Sequence, residues 1–457
     1  MSLSNKITFK SLIFLIITFL IIAGGYFGYS KYIKQRHLAL LDCPDCNVVV
    51  IMIDTMRADH LPTYGYKRNT APFFKAFLDK SVVFEKAFSA SSWTAPATAS
   101  VFTSLYPSQH RVISGFLATK KMIKDGQAIE MNSIPPEYVT LGEMMKKAGY
   151  QTLGVADNLN IGKEMGFDRG FDQFEKFGEK GVEKVNRSAS QFIDGVKDKG
   201  PYFAYLHYMD PHAPYLNLNP FYSNCIKGTD QSEEQKSICA YDSEIFNMDA
   251  NIKKMFVKYG WMENSIVFVV ADHGEELWDH GDRGHGKTLY SELLHVPFAV
   301  YHPKWKGKRI PHNVHTIDLL PTLAAFLGKE TNPVWEGQNL IPYNDDSFEY
   351  QNRFLYSERL RTPYGKIKWW KRSVISKDWH YILTEEPDVP KVEELFNLTQ
   401  DFAEKKNVAS TNAALLADLN SKFSALPSPD IAQSKDAVKI EVDKELVDQL
   451  KTLGYLD

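Results

Sequence analysis

Two apolar runs in this chain end in acid. Val48 to Ile53 of NVVVIMIDTMRAD stops at Asp54, and Ile266 to Val270 of NSIVFVVADHGEE gives way to Asp272-His273. A lone carboxylate after a buried run has an ordinary use as the N-cap of the next helix. Two of them, together with His273, His285, His212 and Asp210, are better explained as a ligand set. Carboxylate oxygen and imidazole nitrogen suit a divalent cation such as Mn²⁺ or Zn²⁺, and with more oxygen Ca²⁺ or Mg²⁺. On this reading Asp54, Asp272 and His273 hold one ion, and the hydroxyl of Thr94 in SSWTAPATASVFTSLYP is a fourth ligand. Coordination lowers the hydroxyl's pKa and makes threonine a usable nucleophile near neutral pH. Pro96 marks the first turn of a helix, with Thr94 predicted at the N-cap, where the positive end of the helix favours an anion.

Two further stretches carry polar groups. WDHGDRGHGKTLYSELLHVPF spaces His280, His285 and Lys287 through glycines, and Lys287 is suited to neutralise a bound oxyanion. A polar surface loop explains His280 and Arg283 equally well. HYMDPHAPY holds His207, Asp210 and His212. His212, in the loop, is the stronger candidate; His207 divides evenly between a site residue and a core histidine.

These residues need a scaffold that gathers them. Uninterrupted apolar, β-branched runs belong to parallel strands covered on both faces by helices. PYFAYLHYMD is a further strand, and TAPFFKAFLDK, TLGEMMKKAGY and YDSEIFNMDANIKKMFVKYG read as helices. This alternation predicts an α/β fold with a doubly wound, mostly parallel sheet, whose ligands bind at the carboxyl ends of the strands. Beyond HVPFAVYHP the pattern changes: KRSVISKDWHYIL is strand-like, NAALLADLNSKFSAL helical, and the tail a short amphipathic helix. The expectation is a catalytic domain over 47–344 and a smaller α+β subdomain over 345–457.

At the other end, a basic tail over 1–10 carries Lys6 and Lys10 and precedes SLIFLIITFLIIAGGYFGYS, residues 11–30, which is uncharged. That length spans a bilayer, so an N-terminal transmembrane helix is preferred to a cleaved signal, with a linker over 31–46. Four cysteines, Cys43, Cys46, Cys225 and Cys239, form an even set beyond the apolar segment and predict disulfides in an oxidising compartment. The catalytic domain is therefore expected outside the cytoplasm, membrane-anchored or secreted if residues 1–30 are removed. A net charge of −3 argues against a nucleic-acid partner.

The chain resembles the sulfatase family of the alkaline phosphatase superfamily. The stretches that carry the resemblance include NVVVIMIDTMRADHLPTYGY, SSWTAPATASVFTSLYPSQHRV, GFDRGFDQF, YMDPHAPY and VVADHGEELWDHGDRGHGKTLYSELLHVPF, in the family's order from residue 47 onward. The resemblance implies a metal site that activates a nucleophile against sulfate or phosphate esters. Asp54, Asp272 and His273 match metal ligands and Thr94 the nucleophile; His212 and Lys287 match residues that contact the ester oxygens, and His285 a further metal or phosphate ligand. A second ion, between Asp210 or His212 and His285, is an open expectation.

Four positions depart from the pattern. Thr94 stands where sulfatases carry the cysteine or serine that becomes formylglycine, and Thr98 replaces the motif's arginine. Asn158 stands where a lysine-any-histidine pair is usual, and Thr55 replaces the second aspartate of a calcium-binding pair. A formylglycine hydrate expels sulfate with its second hydroxyl, whereas threonine has only one. A phosphorylated threonine, released by in-line attack of water or an alcohol, is the chemistry that suits it. The resulting expectation is an extracytoplasmic enzyme hydrolysing or transferring at a phosphate ester, with a lipid- or glycan-linked substrate the partner this suggests. A sulfuric ester hydrolase working without formylglycine and an inactive anion- or glycan-binding protein are the alternatives.

Overall fold

The computed structural model describes residues 43, 45–116, 123, 129–178, 181–361, 369–386, 389–427, 437–440 and 444–452. The expected membrane segment over 11–30 lies outside them, with the basic tail and nearly all of the linker. No helix among the described residues is long and apolar enough to cross a membrane.

Eight strands make the main sheet: β1 (Asn47–Ile53), β2 (Val82–Phe88), β3 (Gln151–Ala156), β4 (Gln173–Lys176), β5 (Tyr202–Tyr208), β6 (Ser265–Ala271), β7 (His295–Tyr301) and β8 (Lys308–His315). Their order is β8-β2-β7-β6-β1-β5-β3-β4. Every pairing is parallel except those of β7 with β2 and β6. The mostly parallel sheet expected from the apolar runs is therefore present, with one antiparallel strand.

All seven residues of β1, β5 and β6 are buried, because helices cover both faces of the sheet. On one face Val49, Ile51 and Ile53 join a core with residues of α1 (Pro72–Leu78), α4 (Val182–Val196) and α5 (Glu233–Tyr259). On the other lie α2 (Thr94–Thr103), α3 (Leu141–Lys147) and α6 (Leu319–Phe326). There Phe102 of α2 meets Tyr205 edge-on at 4.8 Å, and Phe326 of α6 meets Phe268 at 6.1 Å. Thr140 caps α3 through a reciprocal pair with Glu143, the S/T-x-x-E signature of a helix start.

A second, antiparallel sheet follows the expected change of pattern: β9 (Leu355–Arg361), β10 (Trp369–Ser376), β11 (Trp379–Glu385) and β12 (Val392–Asn397). Helix α7 (Ala413–Lys422) packs on it through Leu419, beside Phe423. The sheet is tied to the segment before α2 by Glu358, whose N–H donates to the Ala90 carbonyl, and by Ser357, whose hydroxyl donates to the Ser89 carbonyl. The Cys225–Cys239 bridge is formed, Cys43 and Cys46 are disulfide-bonded as well, and no cysteine is free.

Candidate active site

Strand register explains why distant residues meet. In the parallel sheet Met52 pairs with His207 on one side and with Val270 on the other. Side chains alternate along a strand, so Asp54, two residues after Met52, shares a face with His207. Asp272 follows β6 at the same height. This is the α2 face, since the Thr98 hydroxyl reaches the Met52 sulfur at 3.7 Å. The backbone N–H of Asp54 donates to Tyr208 at 2.8 Å and holds the first turn beyond β1 in line with β5. Asp54, His207 and Asp272 are buried, and donor atoms of the three lie within 4.8 Å of one another.

Thr94 is the first residue of α2 rather than its N-cap, which is Trp93. Its hydroxyl therefore does no capping and points away from the helix, 3.4 Å from Asp54 Oδ2 and 3.3 Å from His273 Nε2. The proline falls in the first turn as expected. His273 Nδ1 donates to the Gly274 carbonyl at 2.8 Å, so the ring's proton sits on Nδ1. Its lone pair on Nε2 faces Thr94 and, at 3.6 Å each, the carboxylates of Asp54 and Asp272.

The electrostatics of this cluster disfavour uncompensated negative charge. Burial, then the Asp272 charge, raises the pKa of Asp54 well above the ordinary carboxylate range. Burial pushes Asp272 up to about 8 against the N–H groups of His273 and Thr55. It pushes His207 down to about 3 and His273 well below its ordinary value. Asp54 Oδ1, Asp272 Oδ2 and both ring nitrogens of His207 make no hydrogen bond. Buried electron-rich atoms turned toward one another without donors are costly unless a positive ion lies between them. The donor set of two carboxylates and imidazole fits a divalent metal.

Around this centre, His285 Nδ1 donates to Glu275 Oε1 at 2.8 Å, and Glu275 also accepts from the Tyr215 hydroxyl at 2.9 Å. Burial opposes the charged imidazole, but Glu275 outweighs it and raises the His285 pKa. The His285 ring is 4.6 Å from that of His273 and 5.0 Å from that of His212. His212 Nδ1 bonds the Ala213 carbonyl, which fixes its tautomer. Three imidazoles thus lie side by side. Gly286, with φ of 72°, lets the chain turn back so that its N–H donates to Ser92 at 2.8 Å.

Not every candidate joins this group. Lys287 is half exposed, and its ammonium is held 2.6 Å from Asp282 on the surface. Its expected oxyanion role is not what this geometry offers, because Gly286 turns the chain and sends the next side chain outward. Asp210 accepts from the Val182 N–H at the start of α4, on the far side of β5 from Thr94's helix. His280 is bound to Glu292 at 2.7 Å and Arg283 is exposed over Trp278, so the surface-loop reading fits both. Thr98 is buried against Met52 and brings no charge.

Asn158 donates to Asp54 Oδ2 at 2.7 Å and so does stand in as a polar partner. Thr55 has φ of 56°, a left-handed conformation that a β-branched residue adopts at a cost of roughly 1–3 kcal/mol. That strain turns its N–H onto Asp272 Oδ1 at 3.2 Å.

Two contributors were not singled out in the sequence, and a third, His207, had only an even claim, since one histidine in an apolar strand gives no sign of what faces it. Glu275 was hidden as one acid in DHGEE. Arg57 is buried, bonds the Glu275 carbonyl and pairs with Asp59 and Asp279, anchoring the loop that carries Glu275.

A buried Asp/His/Asp group at the carboxyl ends of central parallel strands lies next to a hydroxyl at a helix start, in a mostly parallel α/β fold. The chain belongs to the sulfatase family, whose model, Sulfatase, matches residues 46–329; it is a sulfatase-family ester hydrolase. It is 21% identical over 398 residues to the multifunctional alkaline phosphatase superfamily protein PehA of Trinickia caryophylli, covering 65% of this chain and 76% of that protein. It is 23% identical over 388 residues to an ulvan-active sulfatase of Formosa agariphila, covering 74% and 72%. The phosphonate monoester hydrolase of Agrobacterium radiobacter has a similar fold, with a TM-score of 0.64 at 15% identity over 84% of this chain and 96% of that one.

Proposed function

We propose that this chain is a divalent-metal-dependent enzyme that hydrolyses or transfers at a phosphate ester through Thr94, anchored by residues 11–30 with its catalytic domain outside the cytoplasm. The observation that carries the reading is the buried Thr94 hydroxyl, 3.4 Å from Asp54 and 3.3 Å from His273, beside acceptors that lack donors. Asp54, His207 and Asp272 would hold the ion, with His273 and Thr94 at its edge. A bound divalent cation there supplies Lewis acidity and lowers the pKa of the hydroxyl.

The chain's own groups do the rest. The neutral Nε2 of His273 or the Asp54 carboxylate accepts the Thr94 proton as Oγ1 bonds to phosphorus and the alcohol departs. His285, whose pKa Glu275 raises, donates a proton to the departing oxygen. Water or an acceptor alcohol then attacks in line and frees Thr94. With a single hydroxyl, a sulfated threonine has no comparable exit, which favours phosphorus over sulfur.

Sulfuric ester hydrolysis is the second reading, supported by the relative named an ulvan-active sulfatase. Kinetics of wild type and Thr94→Ala on an aryl sulfate, a phosphate monoester and a phosphodiester, with Mn²⁺, Zn²⁺, Ca²⁺ and Mg²⁺ varied, test both. Turnover of a phosphate ester that is lost in Thr94→Ala supports the proposal. Turnover of the sulfate alone, unchanged by the substitution, overturns it; no turnover on any probe favours an anion-binding protein.

A further inference from the structure

His280 stands outside the reacting group, yet the way it is held bears on His285. Glu276–Leu277 and Arg283–Gly284 form a two-residue antiparallel ladder in which Glu276 pairs with Gly284. Glu275 precedes the first of these strands and His285 follows the second, so their 2.8 Å bond is the next rung at the open end of the hairpin. His280 lies in the turn at the other end. Glu276 Oε1 closes that turn, accepting the N–H groups of His280 at 3.1 Å and Asp282 at 2.9 Å.

The His280 ring ties this turn to two other segments. Nδ1 is 2.7 Å from Glu292 Oε1, and Nε2 is 3.1 Å from the Glu404 carbonyl oxygen. Glu404 is itself fixed: it is buried, has φ of 55°, accepts the Ser291 N–H at 2.7 Å and bonds His380 Nδ1. A carbonyl only accepts, an ionised carboxylate only accepts, and a neutral imidazole has one N–H. Both bonds therefore exist together only with two protons present, one on Nε2 and one in the Nδ1–Oε1 bond. The ring also stacks on Tyr290, with centroids 3.8 Å apart, and an aromatic face favours a cation. Burial opposes the charged ring, but the bond to Glu292 and its charge outweigh burial and raise the His280 pKa. Two further charges act on the pair: Lys405 opposes the ring's charge, and Asp279, near Glu292, is paired with Arg57.

We propose that His280 is a positioning residue for the proton donor: held doubly protonated between Glu292 and the Glu404 carbonyl, it fixes the hairpin turn and so keeps Glu275 against His285. As pH rises and the ring loses a proton, one of its two bonds is lost and the turn is released. This rests on the reading of His285 as the proton donor.

The test uses the full chain with ¹⁵N-labelled histidine, His280 and His285 being assigned by substitution. At about pH 6 both ring nitrogens of His280 should carry protons. Hydrogen exchange over residues 276–284, corrected for its intrinsic pH dependence, should quicken about tenfold as that ring titrates, the effect of one lost hydrogen bond. In Glu292→Gln the amide donates to Nδ1 and a neutral ring serves both bonds, so this response to pH should vanish. His280→Ala should bring the His285 pKa down toward the ordinary value of about 6.5 and lower kcat about tenfold with KM little changed. A residue that only supports the fold would leave the His285 titration where it was. A singly protonated His280 at about pH 6, an exchange response that survives Glu292→Gln, or an unmoved His285 titration in His280→Ala overturns the proposal. Should His280→Ala not fold, wild type against Glu292→Gln decides the matter. Titration and exchange need no turnover, so if no ester is cleaved the reading of Thr94 and His285 fails on its own, while the clamp is still supported or overturned by these measurements.

Discussion

His273 Nε2 lies 3.3 Å from the Thr94 hydroxyl across 179 residues of sequence. The opposite ring nitrogen is committed to the Gly274 carbonyl, so the atom facing Thr94 carries a lone pair. Thr94 therefore has a base, a neighbouring carboxylate and a helix start around a single hydroxyl. From that relationship and the groups around it, four outcomes are expected.

Replacing Thr94 by valine removes the hydroxyl at nearly constant volume and should lower kcat by about a thousandfold or more. Thr94→Ser should retain most of the activity. Steady-state kinetics and thermal midpoints of both variants check this, since an unchanged midpoint separates lost chemistry from lost folding.

Chelation should destabilise the protein more at pH 8 than at pH 5. The folded pKa of Asp272 is about 8 against an ordinary 3.8, so the metal-free folded state keeps a proton that the unfolded chain has released. Its stability then falls as pH rises between those values. A divalent cation bound as proposed would replace that proton and, at a hundred times its Kd, would add about 2.7 kcal/mol. Melting with and without chelator at both pH values, and in Asp272→Asn, reads the effect.

Glu275→Gln should shift the basic limb of the kcat–pH profile to lower pH. Glu275 is what raises His285 against the effect of burial, and the amide cannot replace its charge. A profile that does not move would remove His285 as the proton donor.

Acid should unfold the protein through buried histidines remote from the metal group. Burial pushes His110 down to about 3 and His315 down to about 4. Nδ1 of His110 accepts the Val112 N–H and Nδ1 of His315 accepts the Ile317 N–H, so both are held neutral. With folded pKa values below the unfolded one, their contribution is complete above about pH 6.5 and is lost as pH falls, at about 1.4 kcal/mol per unit for each. Urea unfolding at pH 7, 6 and 5 should show that slope, reduced in His110→Gln.

Much of the fold was legible because its signals are local. An unbroken apolar run such as Val48 to Ile53 can only be covered on both faces, and an acid at its end marks the edge of the buried layer. Helices α1 and α3, and α5 from residue 241 onward, fall within the stretches that read as helical. The start of α2 moved by one residue, since Trp93 takes the cap without a side-chain bond, and that shift is what frees the Thr94 hydroxyl.

The candidate site divides along the same line. Residue types and order pointed to Asp54, Thr94, Asp272 and His273 as one group, because two carboxylates and an imidazole closing apolar runs are more than helix caps require, and the structure brings these four side chains together. Tertiary structure decided what register and burial control. The pairing of Met52 with His207 turned an ambiguous strand histidine into part of the Asp/His/Asp group. The turn at Gly286 sent Lys287 to Asp282 at the surface. The chain beyond the second sheet brought Glu404 onto His280. Sequence composes each strand and its ends, but which ends face one another is set by the order of strands in the sheet, and that is a property of the folded chain.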